Sequence, residues 1–180
     1  MFLEFFSRSV AVFILFILSP IFVFIIFCCI VFQGFPVFFT QKRVGYNYKR
    51  FKIYKFRSMI NNSGKVITGA VDDRITKFGK LLRYTKVDEL PQLINIINGD
   101  MRFIGPRPEV EEYFIKQDFK FLKIVKPGIS DFASIILRNE SKILENIGGE
   151  NCYEQLLPVK LELANYYAEK KSFLLDLQLV

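Results

Sequence analysis

Two adjacent carboxylates, Asp88 and Glu89, stand between two isolated arginines, Arg83 and Arg107. A carboxylate can act as a nucleophile, and one or two carboxylates can hold Mg²⁺ together with the oxygens of a phosphorylated substrate. A proline precedes Arg107 and another follows it, so a stiff backbone presents its guanidinium. Because a planar guanidinium binds phosphate oxygens in pairs, this stretch predicts contact with a phosphate group.

The apolar residues that follow the two carboxylates recur at helical spacing and predict a helix that ends before Gly99. Asp88 and Glu89 then lie at its N-terminal end, where unpaired N–H groups and the helix dipole favour negative charge. We therefore expect both carboxylates to stay ionised although they are neighbours. The local pattern alone favours an ordinary N-cap role for Asp88, and the proline-flanked Arg107 shifts the interpretation towards chemistry.

The sequence of 180 residues contains no histidine, which excludes a histidine-activated nucleophile and histidine-ligated zinc. Its three cysteines, Cys28, Cys29 and Cys152, have neither the spacing of metal ligands nor that of a disulfide framework. Carboxylate, lysine, tyrosine or serine side chains are therefore left for any acid, base or nucleophilic role.

An apolar run near the N-terminus predicts a membrane segment. Residues 10–32 are 23 residues without a charge, which is roughly 35 Å of helix against a hydrocarbon core of about 30 Å. Ser19 and Pro20 interrupt this run, and because proline removes a helical hydrogen bond we expect a bend there. The residues alone favour a kinked helix that crosses the bilayer over a re-entrant helix, since spanning helices tolerate proline.

A basic and aromatic stretch follows the apolar run, and its positive charges predict that it stays on the cytoplasmic side. Aromatic residues interleave with the charges, a pattern shared by nucleic-acid surfaces and membrane interfaces. Beside a membrane segment, lipid headgroups are the favoured partner and nucleic acid is not expected. The formal net charge of +7 also suits anionic substrates. The basic residues are Lys42, Arg43, Lys49, Arg50, Lys52, Lys55 and Arg57.

The rest of the chain predicts a small α/β unit with few strands. Residues 36–41 and 50–56 are β-prone and predict a hairpin around a Gly-Tyr-Asn turn. Residues 109–124 predict a helix that either rests on the bilayer surface or packs in the core. The remaining elements are a loop at 61–64, an amphipathic helix at 73–84 with Ile75, Phe78, Leu81 and Leu82 on its apolar side, a break at 126–128, and a helix at 154–170 followed by an apolar stretch at 172–177.

Four motifs, in this order, resemble those of the bacterial sugar transferases called monotopic phosphoglycosyl transferases. They are Phe-Thr-Gln-Lys-Arg-Val-Gly, Ile-Tyr-Lys-Phe-Arg-Ser-Met, Val-Asp-Glu-Leu-Pro-Gln-Leu and Gly-Asp-Met-Arg-Phe-Ile-Gly-Pro-Arg-Pro. The resemblance covers about residues 8–130. It implies an α/β (α+β) fold, mostly helical with a small hairpin and interfacial amphipathic helices. It also implies a membrane segment over residues 1–35 and a catalytic domain over residues 36–180, on the cytoplasmic face of the bacterial inner membrane.

The resemblance also implies an activity: transfer of a sugar-1-phosphate from a UDP-sugar to polyprenyl (undecaprenyl) phosphate, with release of UMP. It assigns the nucleophile of a covalent intermediate to Asp88, and we expect Glu89 to be its catalytic partner. Because the attacking carboxylate and the diphosphate repel each other, a cation is needed between them, and Asp88 and Glu89 are the expected Mg²⁺ ligands. Substrate phosphates are expected to contact Arg83 and Arg107. Lys55 and Arg57 are weaker candidates, because a basic rim facing lipid headgroups explains them equally well.

Family members carry a Ser-Pro pair at the place of Ser19 and Pro20 and have a re-entrant helix there. The resemblance thus reverses the preference drawn from the residues alone, and Met1 is expected on the same side as the catalytic domain. A further expectation is that the protein extends beyond Val180, where relatives usually carry more residues.

One stretch departs from the commoner family pattern. Many members continue Lys-Pro-Gly-Ile-Thr-Gly-Trp-Ala-Gln-Val, whereas this chain has Lys-Pro-Gly-Ile-Ser-Asp-Phe-Ala-Ser-Ile-Ile-Leu-Arg-Asn-Glu. We expect Arg138 to take a substrate contact there, and the sugar stays open. Two rival functions also stay open: a glycosyltransferase that releases UDP, and a non-catalytic membrane-tethered protein that binds nucleic acid or anionic lipid.

Overall fold

The computed structural model describes residues 2–60, 74–114, 119–148 and 152–179. Within these ranges the chain is mostly helical, with one β-hairpin and one pair of short parallel strands, as the fold class predicted. The chain divides into two units. Of the described residues, the first unit holds 2–42, 52–60 and 74–100, and the second holds 43–51, 101–114, 119–148 and 152–179. The expected division after residue 35 stays a prediction.

Two helices, α1 (Phe2–Ile17) and α2 (Ser19–Gln33), form the N-terminal part of the first unit and are bent by 61° at their junction. Pro20 lies in the first turn of α2, and the Ser19 hydroxyl donates a hydrogen bond of 2.7 Å to the carbonyl of Phe16. The predicted bend at Ser19 and Pro20 is therefore confirmed.

Among the described helices, none is by itself both long and apolar enough to cross a membrane. Taken together, α1 and α2 meet this requirement by length and composition, either as a broken span or as a re-entrant loop. Large apolar side chains on both helices are exposed, including Phe16 at 77% and Val23 at 67%. Exposed apolar surface of this extent is typical of a segment that contacts lipid.

The predicted hairpin is confirmed, with β1 at Phe38–Val44 and β2 at Arg50–Phe56. Between the strands, Tyr46–Tyr48 forms a 3₁₀ turn in which Asn47 has a positive φ of 51°. Gly45 is needed before this turn, because a Cβ there would lie 2.9 Å from the Phe51 ring. The turn predicted around Gly-Tyr-Asn is thus present, one residue longer than expected.

The predicted helix at 73–84 is observed as α3 (Lys77–Tyr84), which begins after Thr76, whose hydroxyl accepts a hydrogen bond of 2.8 Å from the Gly79 amide. Leu82 is buried, but Leu81 is 55% exposed, so its placement on the buried side was wrong. Residue 73 and the loop expected at 61–64 lie outside the described residues.

A core of the first unit joins α2, β2 and α3. Its buried members are Ile25, Cys29, Val37, Phe56 and Leu82, and the rings of Phe22 and Phe56 lie 5.5 Å apart. This packing fixes β2 and α3 relative to each other. α3 leads directly into the segment that carries the paired carboxylates.

The second unit is built around its longest helix, α8 (Cys152–Lys170), which confirms the helix expected at 154–170. Phe119, Phe121 and Leu122 pack against its apolar side in one core. Residues 109–124 contain only α5 (Glu111–Phe114) and a 3₁₀ turn at Lys120–Lys123 in their described part. The single helix predicted here is therefore wrong for the described part. Phe119 and Phe121 are packed in the core, as one alternative expected, and a location on the bilayer surface stays a prediction.

Two three-residue strands, β3 (Arg102–Ile104) and β4 (Gly128–Ser130), pair in parallel with Arg102 opposite Gly128. The sequence indicated only a break at 126–128, since three residues are too few to show a strand pattern. The remaining helices of the second unit are α6 (Phe132–Ile136), α7 (Glu140–Ile147) and α9 (Phe173–Gln178), which takes up the apolar stretch at 172–177.

Candidate active site

The paired carboxylates lie in a 3₁₀ helix, Val87–Gln92, that precedes α4 (Leu93–Asn98). Lys86 starts this segment with a φ of 58°, an uncommon conformation for a residue with a side chain. Asp88 and Glu89 occupy the first turn, as predicted, but the turn is 3₁₀ rather than α, and α4 begins only at Leu93. Gly99, with a φ of 82°, ends α4 where the sequence predicted.

Asp88 is buried, with 6% of its surface exposed. Its Oδ1 atom accepts no hydrogen bond from any residue that the structure describes. Lys86, not Asp88, occupies the N-cap position of the 3₁₀ helix, so an ordinary N-cap role does not explain the aspartate. A buried carboxylate oxygen without a donor is costly, so Asp88 is a candidate for a functional role.

Burial raises the pKa of the Asp88 carboxyl above its ordinary value. The nearby charge of Lys55 lowers this pKa, the charge of Glu89 raises it, and Arg83 and Lys86 lower it, but burial is the largest cause. The expectation that a helix start would keep Asp88 ionised therefore omitted the main influence, because the sequence did not show its burial.

Glu89 forms an ion pair with Lys55 on β2, with 2.7 Å between Oε1 and Nζ. Both side chains are mostly buried, at 12% and 17% exposure. The side-chain amide of Asn95 on α4 is fully buried and fixes the position of α4 against β2. Its Nδ2 donates to the carbonyl of Lys52 over 2.6 Å, and its Oδ1 accepts from the amide of Tyr54 over 3.3 Å. Sequence reasoning did not single out Asn95, although an amide among the apolar residues of this helix was the available signal.

Arg83, near the end of α3, also belongs to this group. Its Nε donates a hydrogen bond of 2.9 Å to the Ser58 hydroxyl, and its Nη2 lies 3.0 Å from the sulfur of Met59. α3 closely approaches the residues that follow β2, since a Cβ on Gly79 would lie 1.9 Å from the Ser58 carbonyl oxygen. The structure thus brings together four sequence-predicted residues in the first unit: Lys55, Arg83, Asp88 and Glu89.

Arg57 is engaged differently. Its guanidinium donates to three main-chain carbonyls at the end of α2, those of Gln33, Gly34 and Phe35, with 2.6 Å to Gly34 and 2.9 Å to Phe35. These bonds join the end of the apolar helix pair to the residue that follows β2. Arg57 therefore anchors the main chain at the end of α2.

Arg107 and Arg138 belong to the second unit. Arg107 lines a small cavity in that unit together with Glu109, Asp131 and Lys160. Asp131 caps α6, since its carboxylate accepts hydrogen bonds of 3.2 Å from the amides of Ala133 and Ser134. Arg138 is exposed in the turn after α6.

The sequence analysis missed a polar network in the second unit, in which the half-buried Glu140 and Tyr153 bond to the buried Glu109 and Lys160. Its members are distant in sequence, so only the position of Glu109, directly after the Pro-Arg-Pro segment, could have drawn attention to it.

The donor set for a metal is small. In the described ranges, no group of three or more histidine, cysteine, aspartate or glutamate side chains lies together. Asp88 and Glu89 provide two carboxylates, and one Asp88 oxygen has no hydrogen-bond donor among the described residues. This set fits Mg²⁺, which is commonly held by one or two carboxylates plus substrate phosphates, better than a metal that needs a full protein cage.

Comparison with known proteins gives one family. The sequence model of a family described as bacterial sugar transferase matches residues 1–180. The uncharacterized sugar transferase EpsL of Bacillus subtilis is 37% identical over 180 residues, which cover 97% of this chain and 81% of that protein.

Two relatives carry more specific names. The UDP-N-acetylgalactosamine-undecaprenyl-phosphate N-acetylgalactosaminephosphotransferase of Aeromonas hydrophila is 43% identical over 109 residues, 56% of this chain and 26% of that protein. The UDP-glucose:undecaprenyl-phosphate glucose-1-phosphate transferase of Escherichia coli is 39% identical over 151 residues, 76% of this chain and 32% of that protein. The chain therefore spans less than a third of the length of these two relatives.

Proposed function

The chain belongs to the bacterial sugar transferase family, and from this membership we propose that it transfers a sugar-1-phosphate from a UDP-sugar to undecaprenyl phosphate and releases UMP. The names of two relatives support this donor and this acceptor. The observation that carries the proposal in this chain is Asp88, a buried carboxylate with an unsatisfied oxygen beside the Lys55–Glu89 ion pair.

Asp88 is the proposed nucleophile. In the first half-reaction its carboxylate oxygen attacks the phosphorus that carries the sugar, a new P–O bond forms, and the bond to the bridging oxygen breaks as UMP leaves with that electron pair. In the second, an oxygen of undecaprenyl phosphate attacks the same phosphorus and the Asp88 carboxylate is restored. Asp88 neither gains nor loses a proton, so its ionised form is the reactive one.

The proposed role of Asp88 agrees with its surroundings. Burial raises the pKa of this carboxyl, and a carboxylate that is poorly stabilised by solvent is the better nucleophile. The charges of Lys55 and Arg83 limit this effect. Burial thus makes the Asp88 carboxylate more reactive, while the two cationic side chains favour its ionised form.

Cationic side chains are needed because the donor carries a diphosphate. Lys55 and Arg83 lie close enough to Asp88 to lower its pKa, which supports a role in binding the phosphate under attack. Arg107 and Arg138 are proposed to contact other parts of the donor. For Arg57, the three carbonyl acceptors favour a structural role over substrate binding.

Asp88 and Glu89 would hold Mg²⁺ together with phosphate oxygens of the donor. When bound, the ion supplies positive charge that offsets the repulsion between the carboxylate and the diphosphate. The unsatisfied Oδ1 of Asp88 supports this assignment.

We also propose a re-entrant course for α1 and α2, with both ends of the pair on the cytoplasmic face of the inner membrane. The bend of 61° and the exposed apolar side chains support it. This course would hold the catalytic residues at the bilayer surface, where a soluble nucleotide sugar and a lipid phosphate can both arrive.

The deciding experiment identifies the released nucleotide. Detergent-solubilised full-length protein is incubated with Mg²⁺, undecaprenyl phosphate and a panel of UDP-N-acetylsugars and UDP-hexoses. UMP that appears only with lipid supports the proposal, whereas UDP would overturn it in favour of plain glycosyl transfer.

Without the lipid, the wild-type protein should gain the mass of one phosphosugar. Asp88→Asn should gain none, and Glu145→Gln, a matched removal of an exposed carboxylate on α7, should behave as wild type. A phosphosugar adduct on Asp88→Asn would exclude Asp88 as the nucleophile.

A further inference from the structure

A polar network with a buried centre joins α8 to Glu109, two residues after the proline-flanked Arg107. The Tyr153 hydroxyl lies 2.8 Å from Oε1 of Glu109 and 2.9 Å from its Oε2 and donates to this carboxylate. Lys160 Nζ lies 3.0 Å from Oε1 of Glu140, 3.2 Å from the Tyr153 hydroxyl and 4.0 Å from Oε1 of Glu109. The side chains of Glu109 and Lys160 are 8% and 7% exposed.

Stability alone is a weak reason for such a network. Taking a carboxylate and an ammonium out of water is costly, and apolar side chains of similar volume often stabilise a core as well or better. The adjacent core of Phe121, Leu157 and Leu161 shows that this unit fills its interior with apolar groups elsewhere. The network is better explained by a requirement for defined geometry at Glu109.

The main chain around Arg107 is held on both sides. The carbonyl of Pro106 accepts from the Gly128 amide over 3.0 Å, that of Pro108 from Nη1 of Arg43 over 3.1 Å, and that of Glu109 from the Val44 amide over 3.1 Å. The Glu109 side chain adds a further attachment, the one that depends on α8. The main chain is thus fixed by hydrogen bonds on both sides of Arg107, and this fixed turn presents the Arg107 side chain.

Arg107 and the network share one cavity. Arg107, Glu109 and Lys160 line it together with Asp131. Displacement of the Glu109 carboxylate would therefore change both the backbone two residues after Arg107 and the charges that line the cavity they share.

We propose that Tyr153 and Lys160 are positioning residues that fix the Arg107 guanidinium for a donor phosphate by holding Glu109. This inference rests on the proposed function, because it takes Arg107 as a phosphate ligand. Tyr153 and Lys160 do not contact the substrate in this proposal. They act through Glu109 and the turn, so their removal weakens phosphate binding only while Arg107 is present.

The chain provides a matched control on the same helix. Tyr167 also donates its hydroxyl to a carboxylate, that of Asp176, over 2.6 Å, and it is fully buried whereas Tyr153 is half-buried. Tyr153→Phe and Tyr167→Phe therefore remove the same group from α8. Only the first removes a bond to the residue that follows Pro108.

The test is a double-mutant cycle on UDP affinity, measured by titration calorimetry on the detergent-solubilised full chain. Tyr153→Phe should weaken UDP binding at least fivefold in the wild-type background and less than twofold in the Arg107→Ala background. Tyr167→Phe should change the affinity by the same factor in both. Glu109→Gln, which keeps an acceptor for Tyr153, should retain more affinity than Glu109→Leu. Unfolding midpoints recorded on each variant separate a global effect from a local one.

The outcomes separate the two proposals. If Arg107→Ala leaves UDP affinity unchanged, the phosphate role of Arg107 is wrong and this inference falls with it, while the UMP assay still judges the overall reaction. If Arg107→Ala weakens binding but Tyr153→Phe does not, or weakens it equally in both backgrounds, only the positioning role is overturned. If Tyr153→Phe does not fold, the comparison of Glu109→Gln with Glu109→Leu in the two backgrounds decides.

Discussion

The ammonium of Lys55 lies 2.7 Å from the Glu89 carboxylate, directly beside the buried carboxylate of Asp88. Two neighbouring acidic residues therefore have different environments. Glu89 is held by an ion pair, while one oxygen of Asp88 is buried without a donor among the described residues. Such a division is how adjacent carboxylates take separate roles, one reactive and one supporting.

Asp88→Asn should abolish turnover and raise the unfolding midpoint at pH 7.5. Burial raises the pKa of Asp88, so the folded protein binds this proton more tightly than the unfolded chain does. Stability is therefore lost as pH rises from the ordinary aspartate pKa of about 3.9 through the raised value, and the penalty is complete above it. An uncharged asparagine removes the penalty, and about 1 kcal/mol corresponds to roughly 2–4 °C in a chain of this size.

The gain in midpoint should shrink as the pH is lowered from 7.5 through the raised pKa of Asp88 towards the ordinary value of about 3.9, because the wild-type carboxyl becomes protonated and loses its penalty. Differential scanning fluorimetry at several pH values measures this, with Glu145→Gln as the control for removal of an exposed carboxylate. A lower midpoint for Asp88→Asn at pH 7.5 would contradict the assigned cost of the buried charge.

Lys55→Met should move the acidic limb of the pH–kcat/KM profile to higher pH. The charge of Lys55 lowers the pKa of Asp88, and its loss also leaves the Glu89 charge unpaired beside Asp88. Asp88 then accepts a proton at higher pH, and we expect activity at pH 7 to fall at least tenfold. Lys52→Met, a matched change at an exposed site on the same strand, should leave the limb in place. If the acidic limb of Lys55→Met is not shifted, Lys55 does not influence the ionisation of Asp88.

Long elements and local signals were predictable, but contacts between distant residues were not. The bend at Pro20, the hairpin and α8 each follow from a pattern within one stretch of sequence. The pairing of β3 with β4 rests on two three-residue segments far apart in the chain, which carry no pattern of their own. The network around Glu109 likewise joins residues 44 positions apart.

For the site, residue types and order indicated Asp88, Glu89, Arg83 and Lys55, and the structure brings these four together. The sequence did not distinguish Lys55 from Arg57, which stand in one motif, because the acceptors of Arg57 lie at the end of a helix more than twenty residues earlier. Nor did it show that Asp88 is buried, since a helix start is usually solvated. Burial depends on how β2, α3 and α4 pack, and that is a property of the fold.

Arg57→Lys should lower stability and leave the KM for the UDP-sugar unchanged. An ammonium cannot reproduce the fork that donates to three carbonyls at the end of α2. Each charge-assisted hydrogen bond that is not remade costs about 1.5–3 kcal/mol. The unfolding midpoint and the KM of the folded fraction are measured together, with Arg50→Lys at an exposed position as control. A raised KM without a change in midpoint would return Arg57 to the substrate-binding set.

Gly79→Ala should be destabilising, although alanine is favoured over glycine within a helix by roughly 1 kcal/mol. The new Cβ would lie 1.9 Å from the Ser58 carbonyl oxygen, a main-chain atom that cannot move aside alone. α3 must then shift away from the strand end and carry Arg83 with it, at a cost of about 1–3 kcal/mol and with reduced activity. Lys80→Ala, at the next and exposed position, should be neutral. A higher midpoint for Gly79→Ala would contradict this close packing.

Pro20→Ala should change the course of the N-terminal helices. Alanine restores the helical hydrogen bond that proline lacks, so α1 and α2 can join into one helix of roughly 45–50 Å, long enough to cross a hydrocarbon core of about 30 Å. In the wild type, an N-terminal tag should be cleaved by protease in inside-out vesicles and protected in intact spheroplasts. In Pro20→Ala, a fraction of the tag should become accessible from outside, while Pro158→Ala, in α8, should keep the wild-type pattern. A wild-type tag cleaved only from outside would make the bent pair a crossing span, and the proposed re-entrant course would be wrong.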